Sequence, residues 1–198
     1  MEMKRNPWIS IADLLSSVVL VVLLLFVMSV VGPKYSIEMQ RNKIMSQFNT
    51  ELTDYEMKGQ LRVYVDKSIL EFTSVTFEQG SARLNANTNA LVKDIAVKLE
   101  QYMKEHPAME ILIEGHTDPA KVISVSNVGG YYANNIQLSS LRAANVREAL
   151  LGYMTQKDFS KRIGVAGYGE TRLKNTKDKY SAENRRIEIR ILWDGRKG

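Results

Sequence analysis

The 198-residue chain has no cysteine and only two histidines, which excludes disulfide scaffolds, thiolate metal sites and His-rich metal sites. Its formal net charge of +5 at pH 7 suits anionic partners such as cell-wall polymer, phospholipid headgroups or nucleic acid, and equally an ordinary solvated basic surface. Outside one long apolar stretch, the chain is long enough for one compact domain with its own core.

The apolar stretch covers residues 9–31 and contains one charge, Asp13. As a helix it would extend about 34 Å, enough to cross a hydrocarbon core of about 30 Å. A carboxylate near the centre of such a helix costs on the order of 2.5–3.5 kcal/mol, so it is usually functional and faces protein or a water cavity. Ser10, Ser16 and Ser17 share the helix face of Asp13. The alternative is that Asp13 lies near the membrane edge and only reaches interfacial water.

The flanks of this stretch favour a retained membrane span over a cleaved signal peptide. A signal peptide has an apolar region of about 7–15 residues before a small-residue cleavage site, whereas this stretch is longer and carries an acid. Lys4 and Arg5 precede it, and Trp8 is placed as an interfacial anchor. We therefore expect residues 1–8 in the cytoplasm, a transmembrane helix at residues 9–31, and the large domain outside.

A second helix is predicted after the span. Gly32 and Pro33 predict the end of the membrane helix, because proline removes a helical hydrogen bond. Beyond them one apolar stripe recurs at helical spacing, formed by Ile37, Ile44, Phe48, Leu52 and Tyr55. A helix with one apolar face needs a partner, so residues 32–60 are expected to form a linker that dimerises or plugs a channel. The alternative is that the stripe packs on the domain that follows.

Residues 61–198 are expected to form the folded domain. Their elements follow the order β-β-α-β-α-β-β, which predicts an α+β domain with two helices on one sheet face. The predicted helices cover residues 85–105 and a segment from Ser139 or Ser140 to about Gly152. The predicted strands begin at residue 61 and otherwise cover residues 69–77, 109–113, 163–165 and 187–192.

Several blocks of this domain align with one known pattern. In chain order they are FEQGSARL at 77–84, IEGHTD at 113–118, NIQLSSLRAANV at 135–146, GYGE at 167–170 and NRRIEI at 184–189. Together they resemble the OmpA-like C-terminal domain, the peptidoglycan-binding module also found in the flagellar stator protein MotB and in Pal lipoproteins. The resemblance covers residues 61–192 and implies a mixed β-sheet with the two helices packed on one face.

The resemblance also implies a ligand site. In the family, the aspartate of the His-Thr-Asp block binds the ammonium of diaminopimelate, and the arginine of the Leu-Ser-x-x-Arg-Ala block binds its carboxylate. These positions are Asp118 and Arg142 here, and arginine suits the role because its planar fork matches a carboxylate bidentately. By the same resemblance, the residues that line or brace the pocket are Thr117, Asn135, Leu138 and Arg186.

The chain departs from the family between its two ligand-binding blocks. Residues 119–134 insert apolar and aromatic side chains where typical members have a short loop, and this insertion could cover the pocket, form a partner surface or be tolerated surface length.

A hydrolase built from His116, Asp118 and Ser139 is the catalytic alternative, but no Gly-x-Ser-x-Gly elbow is present. No nucleic-acid motif accompanies the basic residues. We expect a binding protein without catalysis, metal, cofactor or nucleic-acid partner.

The segment around Asp13, PWISIADL at residues 7–14, resembles the ion-binding region of the B subunit of MotA/MotB-type motors. The resemblance implies a bacterial inner-membrane homodimer in which Asp13, supported by Ser16 and Ser17, carries protons. It also implies a multi-span A-type partner, by family precedent five A chains around two B chains, and a periplasmic domain that holds the B dimer still on peptidoglycan. A carboxylate in low dielectric resists ionising, so it can load and release protons.

The short segment between span and domain is more similar to non-flagellar relatives, such as the ZorB subunit of the Zorya antiphage defence motors, than to flagellar members. The alternative function is a static inner-membrane tether that binds peptidoglycan without ion flux. In that case Asp13 would be incidental, and its replacement by asparagine would be tolerated.

Overall fold

The computed structural model describes residues 7–73, 77, 81–85, 88–122 and 134–194. The chain divides into two compact units, one up to Gln40 and one from Arg41 onward. The long helix α1 covers Pro7–Glu51. The described part of the first unit is the portion of α1 up to Gln40, and the last turns of α1 belong to the second unit. The most apolar 18-residue window of α1 has a mean hydropathy of 3.0 and no buried residue, so by length and composition the helix could cross a membrane.

The prediction that Gly32 and Pro33 end the membrane helix is wrong, because α1 continues through both residues without interruption. A proline removes one backbone hydrogen bond, and a long helix retains the bonds on either side of it. Local helix-stopping chemistry is therefore outweighed here by the helix-forming sequence that flanks it.

In the second unit, the last turns of α1 belong to the core of the folded domain. Ile44, Met45, Phe48 and Leu52 are buried there, and Phe48 contacts the ring of Tyr102 with centroids 5.2 Å apart. This burial favours the alternative over the expected dimer or plug surface, since Ile44, Phe48 and Leu52 of the stripe pack on the domain of their own chain. The gain from covering the core competes with any intermolecular use of the same face.

Polar contacts fix the end of this helix as well. Glu51 forms a salt bridge with Lys98 of the following long helix. The short helix α2 (Thr53–Met57) follows, and the hydroxyl of its Tyr55 donates to Asp94 Oδ2 at 2.6 Å. That hydrogen bond to a carboxylate, together with burial, raises the pKa of Tyr55 to about 12.

The second unit contains a five-stranded mixed sheet in the order β1-β2-β5-β3-β4, in which only β3 and β4 run parallel. The strands are β1 (Leu61–Tyr64), β2 (Ile69–Phe72), β3 (Met109–His116), β4 (Ile163–Gly169) and β5 (Arg186–Trp193). The long helices are α3 (Thr88–Glu105) and α4 (Asn135–Tyr153), and two 3₁₀ helices cover Lys157–Arg162 and Ala182–Asn184. The predicted element order and α+β class are confirmed.

Several predicted boundaries differ from the structure, among them those of the second strand and of α4. The second strand ends at Phe72, and part of its predicted extent lies outside the described residues. The helix predicted to begin at Ser139 or Ser140 begins earlier, because Asn134 is its N-cap and accepts a hydrogen bond from the Gln137 N–H at 2.9 Å. Both serine hydroxyls donate instead to a carbonyl of the preceding helical turn.

The two faces of the sheet have different chemistry. Side chains alternate along a strand, so β5 buries Ile187, Ile189 and Ile191 in the core with α3 and α4. The other face of β5 carries Arg186, Glu188 and Arg190. These charges form ion pairs with each other and with acids of the neighbouring strands, Glu71 and Glu114.

Candidate functional site

The candidate site begins where two glycines allow the start of α4 to touch the ends of β3 and β4. A β-carbon on Gly115 would lie 2.1 Å from the Ser139 carbonyl oxygen, and one on Gly167 would lie 2.1 Å from Ser140 Oγ. Only glycine permits so close an approach of helix to strand. The residue after β3 and the first turns of α4 are thereby brought side by side.

Hydrogen bonds stabilise this junction between α4 and the ends of β3 and β4. The Thr117 N–H donates to the Gly169 carbonyl, and the Gly169 N–H donates to Ser139 Oγ, both at 2.9 Å. Ser139 is fully buried and its own hydroxyl donates to the Ile136 carbonyl at 2.9 Å. Because the Ser139 hydroxyl is used in packing and is inaccessible, the structure does not support the hydrolase alternative built on His116, Asp118 and Ser139.

Asp118 lies two residues beyond the end of β3, with 8% of its surface exposed. Its Oδ2 accepts from Arg185 Nη1 at 2.7 Å, and its Oδ1 accepts from the Ala120 N–H at 3.1 Å. The Asn135 side chain donates to the carbonyls of Asp118 and Ala120 at 3.3 and 3.1 Å. Asn135 therefore attaches the loop that carries Asp118 to the first turn of α4, so these two predicted site residues lie close together.

Arg142 lies two turns further along α4 and is 8% exposed. Its Nε donates to the Ser81 carbonyl at 3.0 Å, and its guanidinium lies over the Phe77 ring, 5.1 Å from the centroid. A cation over an aromatic face is favourable and also fixes the plane of the guanidinium fork. Leu138, on the same helix, is buried in a small apolar cluster with Ala82, Val122 and Leu141.

The other predicted pocket residues divide into two groups. Thr117 is 4% exposed, and no described residue bonds its buried hydroxyl, so it contributes through its backbone. Arg186 is directed to the charged face of the sheet, where its Nε donates to Glu188 at 2.7 Å. The arginine that contacts Asp118 is its neighbour Arg185, which the sequence reasoning missed. The signal was present, because adjacent residues at a strand start point to opposite sides.

The charged sheet face contains a group of possible metal ligands. Atoms of Glu114, His116 and Glu188 lie within 4.8 Å of one another. Both carboxylates are already paired, Glu188 with Arg186 and Glu114 with Arg190, each at 2.7 Å. Burial, and then the charge of Arg186, lower the pKa of His116 to about 3, so the imidazole is neutral. The arginines that are paired with both carboxylates also disfavour a divalent cation there.

Among the described residues, Asp118 and Arg142 are two largely buried charged side chains close to the start of α4, an arrangement that can hold a polar ligand. Residues 76–187 match the model of the OmpA family, and the chain belongs to that family. Outer membrane porin F of Pseudomonas aeruginosa is 31% identical over 117 residues, which are 59% of this chain and 29% of the porin. The chain thus spans less than a third of that relative's length.

Solved structures with the same fold come from several bacteria. A putative MotB-like protein from Desulfovibrio vulgaris has a TM-score of 0.61 at 22% identity, over 81% of this chain and 96% of that one. The periplasmic domain of Helicobacter pylori MotB has a TM-score of 0.54 at 21% identity, over 68% and 82%. The cell wall anchor of the T6SS from Pseudomonas aeruginosa has a TM-score of 0.55 at 21% identity, over 74% and 96%. The predicted OmpA-like fold is confirmed.

Proposed function

We propose that the folded domain binds peptidoglycan through the side-chain terminus of diaminopimelate, with Asp118 binding its ammonium and Arg142 its carboxylate. The observation that carries the proposal is that one helix positions both groups. Asn135 of α4 holds the Asp118 loop, and Arg142 lies two turns beyond Asn135 on the same helix face. An acid and an arginine positioned by one helix offer a partner to each charge of a zwitterionic group.

The test is sedimentation of the full-length protein in detergent with purified cell-wall sacculi that contain diaminopimelate. Asp118→Asn and Arg142→Gln should each lose binding. Asp158→Asn is the matched control, because Asp158 is 88% exposed and pairs only with Lys161 among the described residues. Sacculi that carry lysine in place of diaminopimelate should bind weakly. Wild-type sedimentation by Asp118→Asn or Arg142→Gln would overturn the assignment.

We further propose that the chain is the B subunit of an ion-driven motor, single-pass in the bacterial inner membrane with a periplasmic domain, and that Asp13 carries the proton. Support comes from α1, whose apolar side chains are exposed along residues 14–31 and need lipid or a partner to cover them. Ser16 and Ser17 donate to the carbonyls of Ala12 and Asp13 at 2.8 Å. Their hydroxyls are thus satisfied within the helix, and the Asp13 carboxylate remains for a neighbouring subunit.

This part of the proposal requires a second copy of the chain and a multi-span A-type subunit around it. The decisive comparison is Asp13→Asn against wild type in cells, at matched membrane level and matched wall binding, with Ser29→Ala as a control in the same span. Loss of activity in Asp13→Asn alone supports the motor, whereas unchanged activity leaves the static tether. The antiphage role is tested separately by plaque formation on cells that carry the intact operon or its Asp13→Asn form.

A further inference from the structure

Arg185 occupies the candidate site without a role in the proposed binding of diaminopimelate. Its Nη1 donates to Asp118 Oδ2 at 2.7 Å and to the Tyr180 carbonyl at 3.4 Å. The Arg185 side chain is 41% exposed, whereas that of Asp118 is 11% exposed. One end of the guanidinium is therefore bound to the acid of the site while the remainder faces the solvent from which a ligand arrives.

The backbone on both sides of Arg185 is fixed. Asn184, which precedes it, is fully buried, and its side chain makes five hydrogen bonds of 2.8–3.2 Å to the backbone of residues 174–179. Arg186, which follows it, enters β5 and pairs with Glu188. Because this backbone is fixed and Nη1 is already held by Asp118 and the Tyr180 carbonyl, Arg185 loses less conformational entropy on meeting a ligand than an unrestrained arginine would.

The charges of the site determine what this arrangement favours. Asp118 and Arg185 are a neutral pair before any ligand binds, and Arg142 adds one positive charge. A ligand that offers an ammonium alone must share the Asp118 carboxylate with Arg185, which places two cations on one acid. A ligand with a free carboxylate beside its ammonium provides an anion that Arg185 can bind in addition to Arg142.

We propose that Arg185 is a specificity residue that makes the site select diaminopimelate with a free side-chain carboxylate over the form in which that carboxylate is amidated. This inference rests on the proposed binding of peptidoglycan. Arg185 penalises the amidated ligand by competing for Asp118, and it favours the free carboxylate by adding a charge-assisted donor. Its removal should therefore weaken binding of the free-carboxylate ligand and leave binding of the amidated ligand unchanged or tighter, which loss of a purely structural contact would not do.

The experiment is titration calorimetry of the full-length protein in detergent with two soluble wall peptides. One is the tetrapeptide alanyl-glutamyl-diaminopimelyl-alanine, and the other is the same peptide with the side-chain carboxyl as a carboxamide. In Arg185→Gln, binding of the free-carboxylate peptide should weaken about tenfold, the loss typical of one charge-assisted hydrogen bond, while binding of the amidated peptide is unchanged or tighter. Arg185→Lys should keep part of the selectivity, because the charge remains without the planar fork.

Lys179→Gln is the matched control, because it removes the same charge from the same loop and leaves the side-chain contacts of Asp118 in place. Unfolding curves of each variant separate a folding defect from a change in selectivity. Equal weakening for both peptides in Arg185→Gln, or an unchanged ratio, would overturn the inference and leave the proposed function standing. Failure of wild type to bind either peptide would overturn the proposed function, and this inference with it.

Discussion

Gly115→Ala is expected to disturb both stability and wall binding, because the glycine is in contact with α4. The added β-carbon would lie 2.1 Å from the Ser139 carbonyl oxygen and 2.8 Å from its carbon, both backbone atoms of the helix. Restoring an allowed contact requires the helix to move by about 1 Å, and overpacking of this kind costs about 3 kcal/mol. For a domain of this size that corresponds to a fall of about 6–12 °C in melting temperature.

The assay is thermal unfolding of the full-length protein in detergent, followed by tryptophan fluorescence, with sacculus sedimentation run in parallel. Displacement of α4 moves Asn135 away from the Asp118 carbonyl, so wall binding should weaken in the variant that remains folded. Gly164→Ala is the control, because its added carbon would meet only ordinary contacts, the nearest being Leu112 Cδ1 at 3.5 Å. Equal melting temperatures for Gly115→Ala and wild type would refute the argument that close approach places the helix.

Three further predictions concern buried groups. Because burial and Arg186 lower the pKa of His116 to about 3, the unfolded chain binds this proton more readily, and the free energy of unfolding should fall by up to about 1.4 kcal/mol per pH unit below about pH 6.5. Urea titrations between pH 7 and 5 should show this slope in wild type and a smaller one in His116→Asn; equal slopes would contradict it. For Glu100, burial alone would raise the pKa, but hydrogen bonds from Thr155 and its neighbours lower it to about 2. Its stabilising contribution is therefore present above about pH 4.5 and lost as the pH falls toward 2, and Glu100→Gln should flatten the acid unfolding curve in that range. Phe48→Ala should cost about 3–5 kcal/mol because Phe48 is fully buried, whereas the exposed Gln47→Ala should cost little; similar losses would show that the end of α1 does not belong to the core.

The order of elements could be predicted because buried apolar residues recur in the sequence at the spacing of a helix or a strand. In β5, Ile187, Ile189 and Ile191 alternate with charged residues, since one face meets the helices and the other meets ion pairs. The continuation of α1 through Pro33 could not be predicted in this way, because the rule for proline concerns one residue, whereas the helix-forming sequence on both sides decides whether the helix continues. Likewise, Asn134 and the two serines are all good N-caps, and the choice depends on where the helix meets Gly115 and Gly167.

The candidate site was predictable in part. The family resemblance gave Asp118 and Asn135, which the structure brings into contact. It named Arg186 as a pocket residue, whereas the arginine that contacts Asp118 is Arg185 and Arg186 pairs with Glu188 on the charged face of the sheet. The alternation of Ile187, Ile189 and Ile191 indicates which face Arg186 occupies, but it does not indicate that Arg185 reaches Asp118.

The hydrogen bonds of Asn184 to the loop at residues 174–179 affect how the sequence of this loop can diverge during evolution. Its amide bonds the backbone of residues 174–179 and leaves the side chains of Thr176, Lys177 and Lys179 exposed. The path of the loop therefore does not depend on the identity of those three residues. Substitutions there can accumulate and alter the charge beside the site without altering its shape, as long as Asn184 and the loop's own Asn175 and Asp178, whose side chains also bond backbone N–H groups, are retained.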